Sequence, residues 1–208
     1  MENTLTYRNI TESSPPLPDV EDLDFSHQNL TELPPLPPGL KRLNCIGNKL
    51  TALPSPLPSG LEVLDCSYNK LTALPPLPSG LKVLICWSNL FTTLPPLPSG
   101  LKTLDCCFNK LTALPPLPSG LKTLDCDHNQ FTVLPLLPSG LEWLSCYNNQ
   151  LKYKGEEIEE IRNEQEEEIM TTESLPLLPS GLRIVCYHDN PLKYKGEEIE
   201  EIRKENTI

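Results

Sequence analysis

The sequence predicts a solenoid of about eight short coils, with a parallel β-sheet on its concave face and polyproline II-like segments on its convex side. Three observations predict it. A block of 20 residues recurs along the chain, as in LKVLICWSNLFTTLPPLPSG (81–100), LKTLDCCFNKLTALPPLPSG (101–120) and LKTLDCDHNQFTVLPLLPSG (121–140). The apolar residues of the block return at fixed places while the residues between them change. Aromatic residues are only 6% of the 208, too few to fill a wide globular core. They suffice for a thin core in which each coil touches only its neighbours.

Offsets are counted from the first leucine of each block as zero. Apolar residues stand at offsets 0, 3, 5, 10 and 13 and asparagine at 8; from Leu61 these are Leu61, Leu64, Cys66, Leu71 and Leu74, with Asn69. Offsets 2 to 6 alternate inward and outward, which predicts a short strand. The Leu-Pro-Pro-Leu-Pro segment that follows lacks N–H donors and has φ fixed at its prolines, so it runs as an extended polyproline II return. Ser-Gly then turns the chain into the next strand. Blocks begin at Val20, Leu40, Leu61, Leu81, Leu101, Leu121, Leu141 and Leu182. The step from Leu40 is 21 residues, because the segment from Leu53 to Pro58 holds one extra.

The ends follow. The solenoid is expected over 1–192, with residues 1–19 as an N-terminal half-repeat cap around Leu5, Tyr7 and Ile10. A 41-residue unit is duplicated, so that LKYKGEEIEEIRN (151–163) returns as LKYKGEEIEEIRK (192–204). Ile158 and Ile161, and likewise Ile199 and Ile202, share a helical face. This predicts a helical insertion at 155–170 and a C-terminal capping helix at 193–208. Capping is needed because a bare solenoid end leaves leucines and backbone groups open.

Two ladders run along the stack. Asn48, Asn69, Asn89, Asn109, Asn129, Asn149 and Asn190 form one column, with Gln28 in the first coil. Each amide can bond the turn backbone of its own and the adjacent coil. Cys45, Cys66, Cys86, Cys106, Cys126 and Cys146 form the other, at offset 5. A single file of inward side chains offers neither a tetrahedral metal cage nor the geometry a disulfide prefers. These cysteines are expected as reduced, small apolar core residues, and no metal or cofactor is expected. Cys107 and Cys186 fall at offsets 6 and 4, pointing outward, either as reactive thiols or as ordinary contact residues.

The net charge of -11 is uneven: residues 1–150 carry 13 acids and 9 bases, and residues 151–208 carry 15 and 8. This excess of acid argues against nucleic acid and anionic lipid as partners. No run approaches the roughly 18–20 apolar residues of a membrane helix, and MENTLTYRNI lacks the pattern of a signal peptide. The expectation is a soluble, cytoplasmic protein.

Offsets 2, 4, 6 and 7 line the concave face, where Asp65, Tyr68, Ile85, Trp87, Asp105, Phe108, Asp125, Asp127, Trp143 and Tyr147 stand. Nothing in the repeat requires aromatics there, and exposed aromatics concentrate at interfaces. Neighbouring carboxylates repel one another, which a basic partner would relieve. The competing reading is that the rings pair with one another across strands. No catalytic residue is expected: His128 beside Asp127 has no positioned nucleophile, and no phosphate-binding glycine loop is present. Lys41, Lys82, Lys102 and Lys122 at offset 1, with Lys49, Lys70 and Lys110 at offset 9, read as solubilising edge charges.

The phrase LPxLPxGLxxLxCxxNxLTxLP fits the leucine-rich repeat consensus L-x-x-L-x-L-x-x-N/C-x-L at its shortest period. Over about residues 20–192 it resembles two groups. One is the short repeats of bacterial type III effectors. The other is the cysteine-containing leucine-rich repeat proteins of amoeba-infecting large DNA viruses of the marseillevirus kind. Some of those effectors carry a C-terminal ubiquitin-ligase domain; with about 16 residues after the last coil, none is expected here. Their helical-hairpin N-terminal cap is also missing. The cysteine column and the GEEIEEIR tail favour the viral group. The resemblance implies a virus-encoded protein acting in host cytoplasm or packaged in the virion. The expected function is a non-enzymatic recognition scaffold that holds a basic or mixed protein or peptide on the concave face. The rival expectation is a structural, self-assembling component of the virion.

Overall fold

The computed structural model describes residues 19–151, Pro179, Leu182, and the backbone of two outer strands, Thr4–Thr6 and Ile184–Cys186. The strands are β1 (Thr4–Thr6), β2 (Asp22–Asp24), β3 (Arg42–Asn44), β4 (Val63–Asp65), β5 (Val83–Ile85), β6 (Thr103–Asp105), β7 (Thr123–Asp125), β8 (Trp143–Ser145) and β9 (Ile184–Cys186). All pair in parallel in chain order, forming a nine-stranded sheet among the described residues. The sequence predicts eight coils; the additional strand is β1, where the expected half-repeat pairs Leu5 with Leu23. The register never slips, so Leu23, Leu43, Leu64, Leu84, Leu104 and Leu124 stand side by side. The 155–170 insertion, the 193–208 cap, Tyr187 and Asn190 lie outside the described residues, as does most of the 1–19 cap.

Each strand is three residues long, shorter than the alternation from offset 2 to 6 suggests. The reason is a left-handed residue at offset 7, which bends the chain out of the sheet. Inter-coil bonding continues past the strand nonetheless. Cys66 N donates to Ile85 O at 2.9 Å and Tyr68 N to Trp87 O at 2.9 Å.

The core is one thin cluster. From Leu40 to Leu151, leucines at offsets 0 and 3 and residues at offset 10 are fully buried; Leu71, Phe91, Leu111 and Phe131 alternate in that last column. Alternating large and small side chains in one file lets neighbouring coils interdigitate. Burial of each such side chain contributes roughly 1.5–3 kcal/mol. Leu-Pro-Pro-Leu-Pro carries neither helix nor strand, as expected, and buries Leu74, Leu94 and Leu114 on the core side. The turn into the next coil closes through Leu81 N donating to Pro78 O at 3.1 Å, a bond that recurs in the following coils.

The six offset-5 cysteines are free and fully buried. Burial pushes the Cys66, Cys86, Cys106 and Cys126 thiols well up, and neighbouring thiols of the column add to it. They therefore stay protonated and inert. Three also donate weakly to the next coil: Cys45 Sγ to Asp65 O and Cys106 Sγ to Asp125 O at 3.4 Å, and Cys126 Sγ to Ser145 O at 3.2 Å.

The asparagine column closes the described turns from Asn48 to Asn149. Asn129 Nδ2 donates to Cys126 O (3.2 Å) and Asp127 O (3.0 Å) in its own coil and to Cys106 O (3.0 Å) in the preceding one. Its Oδ1 accepts Leu111 N at 3.0 Å. Asn69, Asn89, Asn109 and Asn149 repeat the pattern. Asn129→Ala strands one N–H and several carbonyls in a buried site, at a cost of about 1–3 kcal/mol for each group left unpaired. The expected outcome is a loss of at least about 3 kcal/mol in urea denaturation. A loss under about 1 kcal/mol would show that water replaces the amide without penalty.

Candidate functional site

Along each strand the central leucine is buried and its two neighbours face outward, as in Val63, Leu64 and Asp65. The outward columns at offsets 2 and 4 are joined by those at offsets 6 and 7, where the chain leaves the sheet. All ten residues singled out from the sequence lie in these four columns.

The offset-7 column is left-handed at all seven described positions: His27, Tyr68, Ser88, Phe108, His128 and Asn148 have φ between 49° and 55°, and Gly47 has 69°. This backbone suits glycine or asparagine and disfavours bulky side chains by roughly 1–2 kcal/mol. Gly47 and Asn148 are what the fold alone would select. Tyr68 and Phe108 stand there against that preference and remain 59% and 51% exposed.

The rings form two groups. Tyr68 meets Trp87 at 5.8 Å between centroids, tilted by 59°. Phe108 stacks on His128 at 4.0 Å and 13°, and His128 meets Tyr147 edge-on at 5.0 Å and 71°. The rings pair across coils, while Tyr68 and Phe108 stay open. Trp143 lies apart at offset 2 on β8, 39% exposed.

The carboxylates differ in setting. Asp105 and Asp125 are direct neighbours in register, whereas Ile85 separates Asp65 from Asp105. Asp127 is tied to the next coil, accepting Ser145 Oγ at 2.6 and 2.7 Å and Tyr147 N at 2.6 Å. At offset 4 the side chain has a local task. Asp65, Asp105 and Asp125 each accept the backbone N–H two residues on, at 3.0, 3.2 and 3.2 Å. Asn44 does the same for Ile46 N at 3.1 Å. An uncharged amide therefore closes this turn equally well, and the negative charge at offset 4 is surplus to folding.

Cys107, half-buried, lies beside these two aspartates. Ligand atoms of Asp105, Cys107 and Asp125 all lie within 4.8 Å of one another. Burial, a hydrogen bond to Asp105, and the charges of Asp105, Asp125 and Asp127 push the Cys107 thiol well up. This favours a protonated donor at Cys107 over a reactive thiol; the side chain of Cys186 lies outside the described residues. Burial raises the Asp105 carboxyl, against the bonds it accepts from Cys107. Burial pushes Asp125 up to about 6, with Asp127 and Asp105 adding to the shift. Cys107 and His128 belong to this site although neither was among the ten. Their columns were the available signal, since His128 shares offset 7 with Phe108 and Cys107 shares offset 6 with Trp87.

The rim carries opposite charge. Glu21, Glu62 and Glu142 at offset 1 pair with Lys41, Lys82 (2.7 Å) and Lys122 (3.0 Å) of adjacent coils. These lysines are partnered across coils as well as solubilising. Exposed pairs of this kind contribute little to stability.

Comparison with known proteins agrees with this fold. A family model described as Leucine Rich Repeat matches residues 60–81. Among solved structures, the chain is similar to YopM, a leucine-rich effector protein from Yersinia pestis, at 30% identity and TM-score 0.65, covering 83% of this chain and 50% of that one. YopM from Yersinia enterocolitica matches at 28% identity and TM-score 0.52, covering 86% and 44%. The functional domain of InlJ from Listeria monocytogenes, which includes a cysteine ladder, matches at 28% and 0.50, covering 80% and 38%. The chain spans half or less of the length of these proteins. Among curated proteins none matches. The protein is a parallel-sheet solenoid resembling leucine-rich repeat proteins, including bacterial effectors.

Two outcomes follow from the geometry. Tyr68→Asn relieves a left-handed aromatic while losing one ring contact, so stability should stay within about 1 kcal/mol of the parent or rise. A larger loss on thermal melting would make the ring structural. Cys107 should alkylate with iodoacetamide at pH 7.5 more slowly than an unfolded thiol, and Asp105→Asn should speed it several-fold by removing the nearest charge. An unchanged rate in that variant would disprove the electrostatic account.

Proposed function

We propose that the protein is a non-enzymatic scaffold that recognises a basic or mixed protein or peptide surface on its concave face. The contacts are Asp65, Tyr68, Ile85, Trp87, Asp105, Phe108, Asp125, Asp127, Trp143 and Tyr147. The observation that carries this reading is the left-handed column: Tyr68 and Phe108 hold a strained backbone and an open ring where the fold would accept glycine or asparagine. Strain kept in place without a folding benefit is a mark of function. Solenoids of this kind use their concave surface to hold partners. Catalysis has little support on this face, since the thiol nearest the carboxylates is held protonated.

We further place the protein, as virus-encoded, in the cytoplasm of a host cell or within the virion. This rests on the resemblance of the cysteine column and the repeated GEEIEEIR tail, together with buried free thiols that suit a reducing compartment. The cysteine ladder named for the Listeria domain places such a column on a bacterial protein too, so the tail carries more of this assignment.

A Trp87→Ala, Trp143→Ala double variant should fold as the parent by circular dichroism and lose its partner in affinity capture from host lysate. Partner capture at the parental level by this variant would overturn the reading.

A further inference from the structure

The proline returns carry two apolar departures, and both fall in one coil. Offsets 12 and 15 face solvent throughout the described coils. At offset 15 Pro35, Pro76, Pro96 and Pro116 stand exposed, and proline there presets the extended return. The coil from Leu121 has Leu136 instead, 86% exposed, the most of any large apolar side chain among the described residues. At offset 12 Ala73, Thr93 and Ala113 give way to Val133, 45% exposed. Neither side chain enters the core, and Leu136 forgoes the stiffness that proline lends the return.

The coil that follows is the one that holds the insertion. Gln150 N donates to Phe131 O at 2.9 Å, and Phe131 N donates to Asn149 Oδ1 at 3.1 Å. The chain therefore reaches Leu151 alongside the start of the return that carries Val133 and Leu136. The coil closes again at Pro179, whose carbonyl accepts Leu182 N at 3.0 Å. Six residues separate the matching positions Leu111 and Pro118, whereas 27 separate Leu151 and Pro179. The added chain leaves and rejoins the solenoid on the convex side, one coil from the two exposed side chains.

We propose that Val133 and Leu136 form the surface on which the inserted segment docks, through Ile158 and Ile161. The inserted residues themselves lie outside the described ones; their two roots and their sequence point to this occupant. Ile158 is seven residues past Leu151, a reach of up to about 23–25 Å. Leu136 lies five residues along the return from Phe131, about 16 Å at the polyproline rise. Tethering at both ends holds the segment at a high effective concentration over the patch, so a contact of a few side chains suffices. Glu156, Glu157, Glu159 and Glu160 flank the two isoleucines, which leaves Ile158 and Ile161 as the apolar pair of that stretch. The 41-residue duplication repeats surface and occupant together. Leu136 recurs as Leu177, and Ile158 and Ile161 as Ile199 and Ile202, whereas Val133 becomes Ser174. The leucine and both isoleucines are what the two copies share. Docking on the convex side leaves the concave columns open, so this inference and the recognition reading stand or fall separately.

The test uses the full chain with isotope-labelled isoleucine, leucine and valine methyl groups. Leu136 should show magnetisation transfer to Ile158 or Ile161, and the signal should persist unchanged on dilution. In parallel, cleavage by a glutamate-specific protease within residues 156–168 is followed by mass spectrometry. Val133→Ser with Leu136→Ser should speed that cleavage at least about tenfold, because the docked segment must open to be cut. Leu90→Ser, which removes an exposed leucine far from the insertion, should change it less than about twofold. Absence of the methyl contacts, their loss on dilution (a second copy as the occupant), an unchanged rate in the double variant, or an equal acceleration in Leu90→Ser would each overturn the docking.

Discussion

The asparagine amide at offset 8 is the constraint on which the rest depends. A coil of about 20 residues must reverse twice, and each reversal buries backbone groups that no regular element can pair. The amide resolves this with donors to two coils and an acceptor for a third backbone group. Because it reaches into the preceding coil, the turn and the stacking of neighbours are set by one side chain. The thin core follows: with the turn so closed, leucine and cysteine have only to fill the narrow space between the sheet and the proline return.

Much of this was legible in the sequence because a solenoid repeats its own evidence. The recurring blocks place Leu64, Cys66 and Asn69 in columns that no single block could establish, and the observed register keeps those columns aligned. The polyproline return was equally plain, since proline leaves so few conformations. Strand length was less legible. Alternation marks which side chains face inward, but the left-handed residue that ends the strand carries no fixed identity, being glycine, serine, tyrosine, phenylalanine, histidine or asparagine. A conformation shared by such different residues is set by the bonds around it, and composition does not reveal it.

The candidate face shows the same division. Its columns, and hence all ten residues, could be assigned by counting. What counting could not supply was the setting of each carboxylate. Asp127 and Asp125 are two residues apart, yet one accepts bonds from Ser145 and a backbone donor of the next coil while the other lies beside Asp105. The Cys107 thiol, which the sequence leaves as either reactive or an ordinary contact, is a hydrogen-bond donor to Asp105 in space. Pairing across coils decides these roles, and it emerges only when chain separations of 20 residues become direct contact.

The unslipped register gives the coil a meaning as a unit of length. Each coil advances the face by one strand spacing, about 4.8 Å, without altering what its neighbours bury. Inserting one coil between those of Leu101 and Leu121 would leave every core column intact and move Asp105 and Asp125 about 10 Å apart. Duplication of a block, of which this chain already carries a trace in its 41-residue repeat, therefore redraws the spacing of groups on the concave surface in whole steps. Recognition by such a protein can change by counting, before any side chain is substituted.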